Sequence, residues 1–268
     1  MGPDTRPFAV ITGASTGIGL ELAREFVTGG YDVLVAAEDD RIAQVPAQLA
    51  GEAGADGRVE AVQVDLAQDG GVERLWAAAT AGGRVVDAVA LHAGVGVGGE
   101  FVDTPLGDEQ RMIALNVQSV VHLAKLAASH MSARGGGKLL FTSSLAARVP
   151  APYQAVYGAT KAFVQSLAQS LRQELDQRGI TVTAFLPGPT DTEFFERAGM
   201  EDTAMAHSSA KDDPATVARQ AFEAFRAGKD HAVTGSVGTK LQGALANVTP
   251  NAPLAKAQGK LAAPGSAD

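Results

Sequence analysis

The sequence predicts a single α/β domain, a doubly wound seven-stranded parallel sheet flanked by helices, and three observations predict it. Short apolar runs alternate with helix-period segments along most of the chain, the rhythm of strand, helix, strand that a parallel sheet requires. Runs such as Phe8-Ala9-Val10-Ile11 and Ala88-Val89-Ala90-Leu91 are apolar at consecutive positions, as strands covered on both faces must be. The 268 residues are 46% hydrophobic and include 31 glycines, enough for one full core and no reason for two.

In chain order the expected strands are Phe8 to Thr12, Asp32 to Ala37, Val59 to Val64, Val86 to Leu91, Lys138 to Thr142, Thr181 to Leu186 and His231 to Thr234. The helix-period segments between them are Ile18 to Thr28, Arg41 to Ala53, Gly71 to Ala81, Asp108 to Arg134, about 153 to 178, and Pro214 to Ala227. Residues 1–6 are expected to be disordered and residues 7–240 to form the domain. Within it, 190–213 includes the small and polar run Gly199 to Asp213, which suits a mobile cover over a site. Residues 241–268 carry several prolines and no strong period, so a short helix and a frayed end are expected there.

Composition narrows the function. A net charge of −8 without a basic cluster argues against nucleic acid. The chain has no cysteine, which removes thiolate chemistry and sulfur-ligated metals, and no metal centre is expected. Residues 1–7 hold no apolar signal core, and no uninterrupted apolar run reaches the ~18 residues of a membrane span, so a cytoplasmic protein with no membrane partner is expected.

In an open parallel sheet, ligands bind at the carboxyl ends of the strands, and the motifs fall there. After the first strand comes Thr12-Gly13-Ala14-Ser15-Thr16-Gly17-Ile18-Gly19. Its glycines let backbone approach a pyrophosphate, and the following helix offers unpaired N–H groups and a positive dipole end. The spacing is Gly-x-x-x-Gly-x-Gly, so the strict Gly-x-Gly-x-x-Gly fingerprint is absent. Glu38, nineteen residues beyond Gly19, is placed to accept the adenosine ribose hydroxyls and to repel a 2′-phosphate, which favours NAD(H) without excluding NADP(H). Equally, Glu38 suits a cap on the next helix. Asp65 and Leu66 end the third strand where an adenine would lie, and His92-Ala93-Gly94 opens a glycine-rich loop after the fourth. Asn116 interrupts a helical pattern, where an asparagine amide bends the helix or holds water. Tyr157 and Lys161 stand four apart on one helix and share a face, so an ammonium would favour the phenolate, with Ser144 beside them to hold a substrate oxygen.

With these residues in view, the chain resembles the classical short-chain dehydrogenase/reductase family, over roughly residues 7–235, in the right order and with Ser144 thirteen residues before Tyr157. The resemblance implies a Rossmann-type fold and an NAD(P)-dependent oxidoreductase. Tyr157 would be the general acid or base; Lys161 would lower its pKa and bond the nicotinamide ribose. Ser144 would polarise the substrate oxygen, and Asn116 would hold a relay water. The family's Pro-Gly segment matches Pro187-Gly188-Pro189-Thr190-Asp191-Thr192, which makes Pro187, Gly188, Thr190 and Thr192 further cofactor contacts. One departure is His92 where the family commonly has Asn, which bears on cofactor affinity.

The substrate expected is a small carbonyl or alcohol, uncharged and partly hydrophobic, because its candidate walls hold Val149, Pro150, Phe194, Phe195 and Met200. The family contact made by the two long helices implies a homodimer or homotetramer. The rival expectation is a dinucleotide-binding protein that keeps the fold and has lost the chemistry.

Overall fold

A computed structural model describes residues 6–51, 57–246 and 249–267. Seven strands, β1 (Phe8–Thr12), β2 (Asp32–Ala37), β3 (Val59–Gln63), β4 (Ala88–Leu91), β5 (Gly137–Thr142), β6 (Ile180–Pro187) and β7 (His231–Thr234), form one sheet in the order β3-β2-β1-β4-β5-β6-β7. Every pairing is parallel. The order reverses between β1 and β4, where the chain leaves the sheet on opposite faces and opens a crevice at the carboxyl edge.

The helices are α1 (Gly17–Thr28), α2 (Val45–Leu49), α3 (Gly71–Ala79), α4 (Leu106–Ile113), α5 (Val120–Arg134), α6 (Ala155–Leu175), α7 (Phe194–Arg197), α8 (Ala204–His207), α9 (Pro214–Arg226), α10 (Val237–Leu245) and α11 (Asn251–Ala262). Alternation along β1 assigns the two faces. Phe8 and Val10 join a core with Leu123, Ala127 and Val164 from α5 and α6, while Ala9 and Ile11 join one with Leu22, Phe26 and Phe225 from α1 and α9. On the second face Phe26 meets Phe222 edge-on at 4.9 Å between ring centroids.

The expected strands are all present, with ends shifted by a residue or two. Three helical expectations need correction. The segment 41–53 is a 3₁₀ turn, Asp40–Gln44, followed by the five-residue α2, because Pro46 at its start has no N–H to extend an upstream ladder; residues 52–56 lie outside the described part. The 108–134 helix begins two residues earlier and is widened into a π-type turn at Ala114–Ser119, centred on Asn116. This 29-residue run is long and apolar enough to cross a membrane by composition, yet Leu123, Ala124, Ala127 and Met131 are buried on the sheet, as in a core helix.

The third correction concerns the C-terminal tail. Residues 237–245 and 251–262 are helical, and the last described residues are tied down: Gly265 N–H donates to the Asp202 carboxylate at 2.7 Å, and the Ser266 hydroxyl accepts from Ala204 N–H at 2.9 Å. Ala262 is buried with Phe195, Ala198 and Met200, so the tail fastens the segment carrying α7 and α8 instead of fraying. Of residues 1–6, expected to be disordered, 1–5 lie outside the described part.

Candidate functional site

At the end of β1 the chain turns over its own neighbours. Gly13 N–H donates to Ala36 O at 2.7 Å, which brings the glycine-rich turn beside the end of β2. Gly13 sits at φ 69°, and a Cβ there would lie 2.8 Å from Ala93 Cα; at Gly19 one would overlap the Gly13 carbonyl oxygen. Thr16, the residue before α1, is extended and forms no side-chain cap, which leaves the first N–H groups of the helix facing the crevice. These are the demands of an anionic ligand seated close to backbone, so the turn fits a dinucleotide pyrophosphate.

One cavity runs along the carboxyl edge from Glu38, Asp65 and Leu66, past Gly13, Ser15, Thr16, Gly17 and Ile18, to Ser144, Tyr157 and Lys161. His92, Ala93, Gly94, Pro187, Gly188, Thr190 and Thr192 also line it. Of the residues singled out in the sequence, Gly19, Asn116, Pro150 and Met200 do not line it, so Pro150 and Met200 are not the substrate walls expected of them.

Asn116 braces the loop after β4: its Oδ1 accepts from Val95 N–H at 3.0 Å, and its Nδ2 donates to Val95 O at 2.9 Å and to the Thr160 hydroxyl at 3.1 Å. The widened turn in the helix carries this amide to the loop. Across the same loop, Gly94 has no Cβ because one would meet Asn116 Oδ1 and Lys161 Nζ, each at 3.1 Å.

Tyr157 and Lys161 are both buried on α6, as their spacing predicts. Their electrostatics differ from the expectation. Burial pushes the Tyr157 phenol up to about 12, opposed by a hydrogen bond with Ser144, and burial pushes the Lys161 ammonium down to about 8. Lys161 Nζ stands 5.8 Å from the Tyr157 ring centroid and donates to Thr142 O at 3.2 Å. In the protein alone, desolvation therefore outweighs the Ser144 hydrogen bond on the phenol.

His92 occupies the place of the usual Asn. Its N–H and that of Ala93 both donate to the Thr12 hydroxyl at 3.0 Å, its Nδ1 lies 3.0 Å from the Thr142 hydroxyl, and its ring stacks on Phe185. Burial, and secondarily the charge of Lys161, push the imidazole down to about 3, so it is neutral. In the sequence Thr12 only opens the glycine-rich motif and has no role of its own; the signal for one is a hydroxyl at the end of an otherwise apolar strand.

The acidic end also differs in detail. Asp39 accepts from the Ser15 hydroxyl at 2.7 Å and from Arg41 Nε at 3.2 Å. Glu38 pairs with Arg111 of α4, which also lies 3.0 Å from Asp65. At the other end of the cavity Leu145, Val149, Phe194, Met205 and Ala262 form an apolar wall with the amides of Gln154, Gln242 and Gln258; the last two come from α10 and α11, which the sequence reading left without a role.

The family model described as short chain dehydrogenase matches residues 7–203. A protein named probable oxidoreductase EphD from Mycobacterium tuberculosis strain H37Rv is 32% identical over 191 residues, 70% of this chain; the chain spans about a third, 32%, of that relative's length. A short-chain dehydrogenase from Sphingobium yanoikuyae, solved in complex with NADPH, superposes with a TM-score of 0.78 at 30% identity, covering 90% of this chain and 94% of the other. The bulky-bulky ketone specific alcohol dehydrogenase from Comamonas testosteroni superposes with a TM-score of 0.76 at 26% identity, covering 90% and 91%. The family match covers β1 to β6, the glycine-rich turn and the Ser144, Tyr157 and Lys161 segment, and on it the protein belongs to the short chain dehydrogenase family.

Proposed function

We propose that the protein is an NAD(P)-dependent oxidoreductase that interconverts a carbonyl and a secondary alcohol in an uncharged, partly hydrophobic small molecule. One observation carries the reading: Ser144, Tyr157 and Lys161 meet on the wall of a cavity whose other end is the glycine-rich turn. When bound, the dinucleotide supplies or takes up the hydride.

The chain's own residues supply the rest. The Tyr157 hydroxyl gives its proton to the substrate oxygen during reduction and recovers one during oxidation, and the Ser144 hydroxyl orients that oxygen. The Lys161 ammonium offers positive charge to the oxygen as it becomes anionic. Asn116 keeps a second lone pair on Oδ1 with which to hold a relay water behind Lys161. The charged lining residues are Glu38, Asp39, Asp65, Lys161, Glu193 and Arg197, none of them on the apolar wall, which supports a neutral substrate. The Comamonas testosteroni neighbour, whose name specifies bulky-bulky ketones, supports the same substrate class.

The test is the Tyr157→Phe variant. It should bind NADH or NADPH with unchanged affinity and lose about 10²- to 10⁴-fold in turnover across a panel of ketones, the usual contribution of a positioned acid or base. Normal turnover in that variant would remove Tyr157 from the proton transfer. Tight dinucleotide binding by the wild type with no turnover of any ketone or alcohol would favour a retired enzyme.

A further inference from the structure

The acidic residue after β2, Glu38, is paired with a basic residue 73 positions away in sequence. Glu38 follows β2 and Asp65 follows β3, neighbouring strands in the sheet, so both emerge at the same corner of the carboxyl edge. Each lines the cavity. Two carboxylates side by side repel one another, and Arg111, reaching over from α4, resolves the conflict: a single guanidinium nitrogen pairs with Glu38 Oε2 and with Asp65 Oδ2 at 3.0 Å. The remaining groups of the corner are already placed. Gln63 Nε2 donates to Glu38 O at 2.9 Å, and Asp65 Oδ1 accepts from Ala67 N–H at 2.9 Å. Arg111 does not itself line the cavity, so it acts on a ligand through its two partners.

We propose that Arg111 is a positioning residue for cofactor selection: it holds Glu38 and Asp65 together at the adenosine end, so that a carboxylate meets the ribose 2′-hydroxyl and a 2′-phosphate is rejected. This inference rests on the oxidoreductase reading above. Glu38, Asp65 and Arg111 together carry one positive and two negative charges, and the neighbouring Asp39 is matched by Arg41, so the net charge of the corner opposes a phosphate. Once the Glu38 carboxylate is gone, the same guanidinium has one acid left and becomes a counter-ion for a 2′-phosphate.

The experiment measures dissociation constants for NADH and NADPH from the fluorescence of the bound reduced cofactor, with thermal midpoints to establish that each variant folds. The wild type should favour NADH by about tenfold or more. Glu38→Gln should shift the NADH to NADPH ratio toward NADPH by about tenfold, and Glu38→Gln combined with Arg111→Gln should lose that gain. Arg111→Gln alone should weaken NADH several-fold and NADPH at least as much, since the two carboxylates are then unneutralised, and Arg111→Lys should restore part of the loss. A merely structural arginine would lower the thermal midpoint and leave the ratio of Glu38→Gln unchanged in the double variant. Equal NADPH affinity in Glu38→Gln and the double variant overturns the role of Arg111, as does a wild type that favours NADPH. A folded wild type that binds neither dinucleotide overturns the oxidoreductase reading itself.

Discussion

His92, where the family commonly has Asn, ties the loop after β4 to Thr12 and Thr142. A neutral imidazole donates or accepts at Nδ1 while its ring fills the space under the glycine-rich turn, close enough that a Cβ at Gly19 would lie 2.8 Å from its Cδ2. The arrangement makes stability sensitive to acid. The folded-state pKa is about 3, against an ordinary 6.5, so between those values the unfolded chain binds a proton that the folded one refuses. Stability from this site is present above pH 6.5 and is lost as pH falls toward 3. We expect His92→Asn, which cannot titrate, to flatten the pH dependence of the unfolding free energy from urea denaturation over that window, by on the order of a few kcal/mol at the acid end. A wild type and variant with parallel pH profiles would show that His92 protonates freely in the folded protein.

Among the elements, α7 is held by charge to the far side of the cavity. Arg41, just beyond β2, pairs with Glu193 at 2.8 Å, and Arg197 of α7 pairs with Glu193 at 2.9 Å and approaches Asp39 to 3.9 Å. Thr192 lies against the glycine-rich turn, since a Cβ at Gly17 would come within 2.9 Å of its methyl group. Arg41, Glu193 and Arg197 are all partly exposed, and such pairs contribute about 0.2–1 kcal/mol each. Glu193→Gln should therefore raise the dinucleotide dissociation rate by a modest factor, about two- to fivefold, and make that rate less sensitive to added salt. Stopped-flow displacement of bound NADH measures both, and a dissociation rate unaltered by the substitution would free α7 from any part in cofactor exchange. Helical spacing alone gives the Glu193–Arg197 pair, four residues apart, but not its link to Arg41, because Arg41 and Glu193 lie 152 residues apart and Arg41 reads alone as a solvated charge.

For the whole molecule, the surface of α4, α5 and α6 bears on assembly. Leu106, Ile113, Val121 and Phe163 are exposed on these helices, Phe163 at 41%. A face of this kind suits a second copy of the chain, which the family resemblance also implies. We expect light scattering to give a dimer or tetramer, and Phe163→Asp, which places a charge in the proposed contact, to move the population toward the monomer of 27.4 kDa. A wild type that runs as a monomer at micromolar concentration would exclude this contact.

The amino-acid sequence by itself determined the sheet, the helices of both layers and the strand ends on which the site is built, because these follow from local periodicity and from glycines whose Cβ has no room. It also picked out Ser144, Tyr157 and Lys161, since helical spacing alone puts the last two on one face. Tertiary structure decided what those groups experience. Burial, a property of the assembled core, raises the Tyr157 phenol and lowers the Lys161 ammonium. The sheet's strand order brings Glu38 and Asp65 together, α4 brings Arg111 to both, and the return of α10 and α11 closes the apolar end with Gln242 and Gln258. Each of these depends on contacts between residues far apart in the chain, which no local pattern encodes.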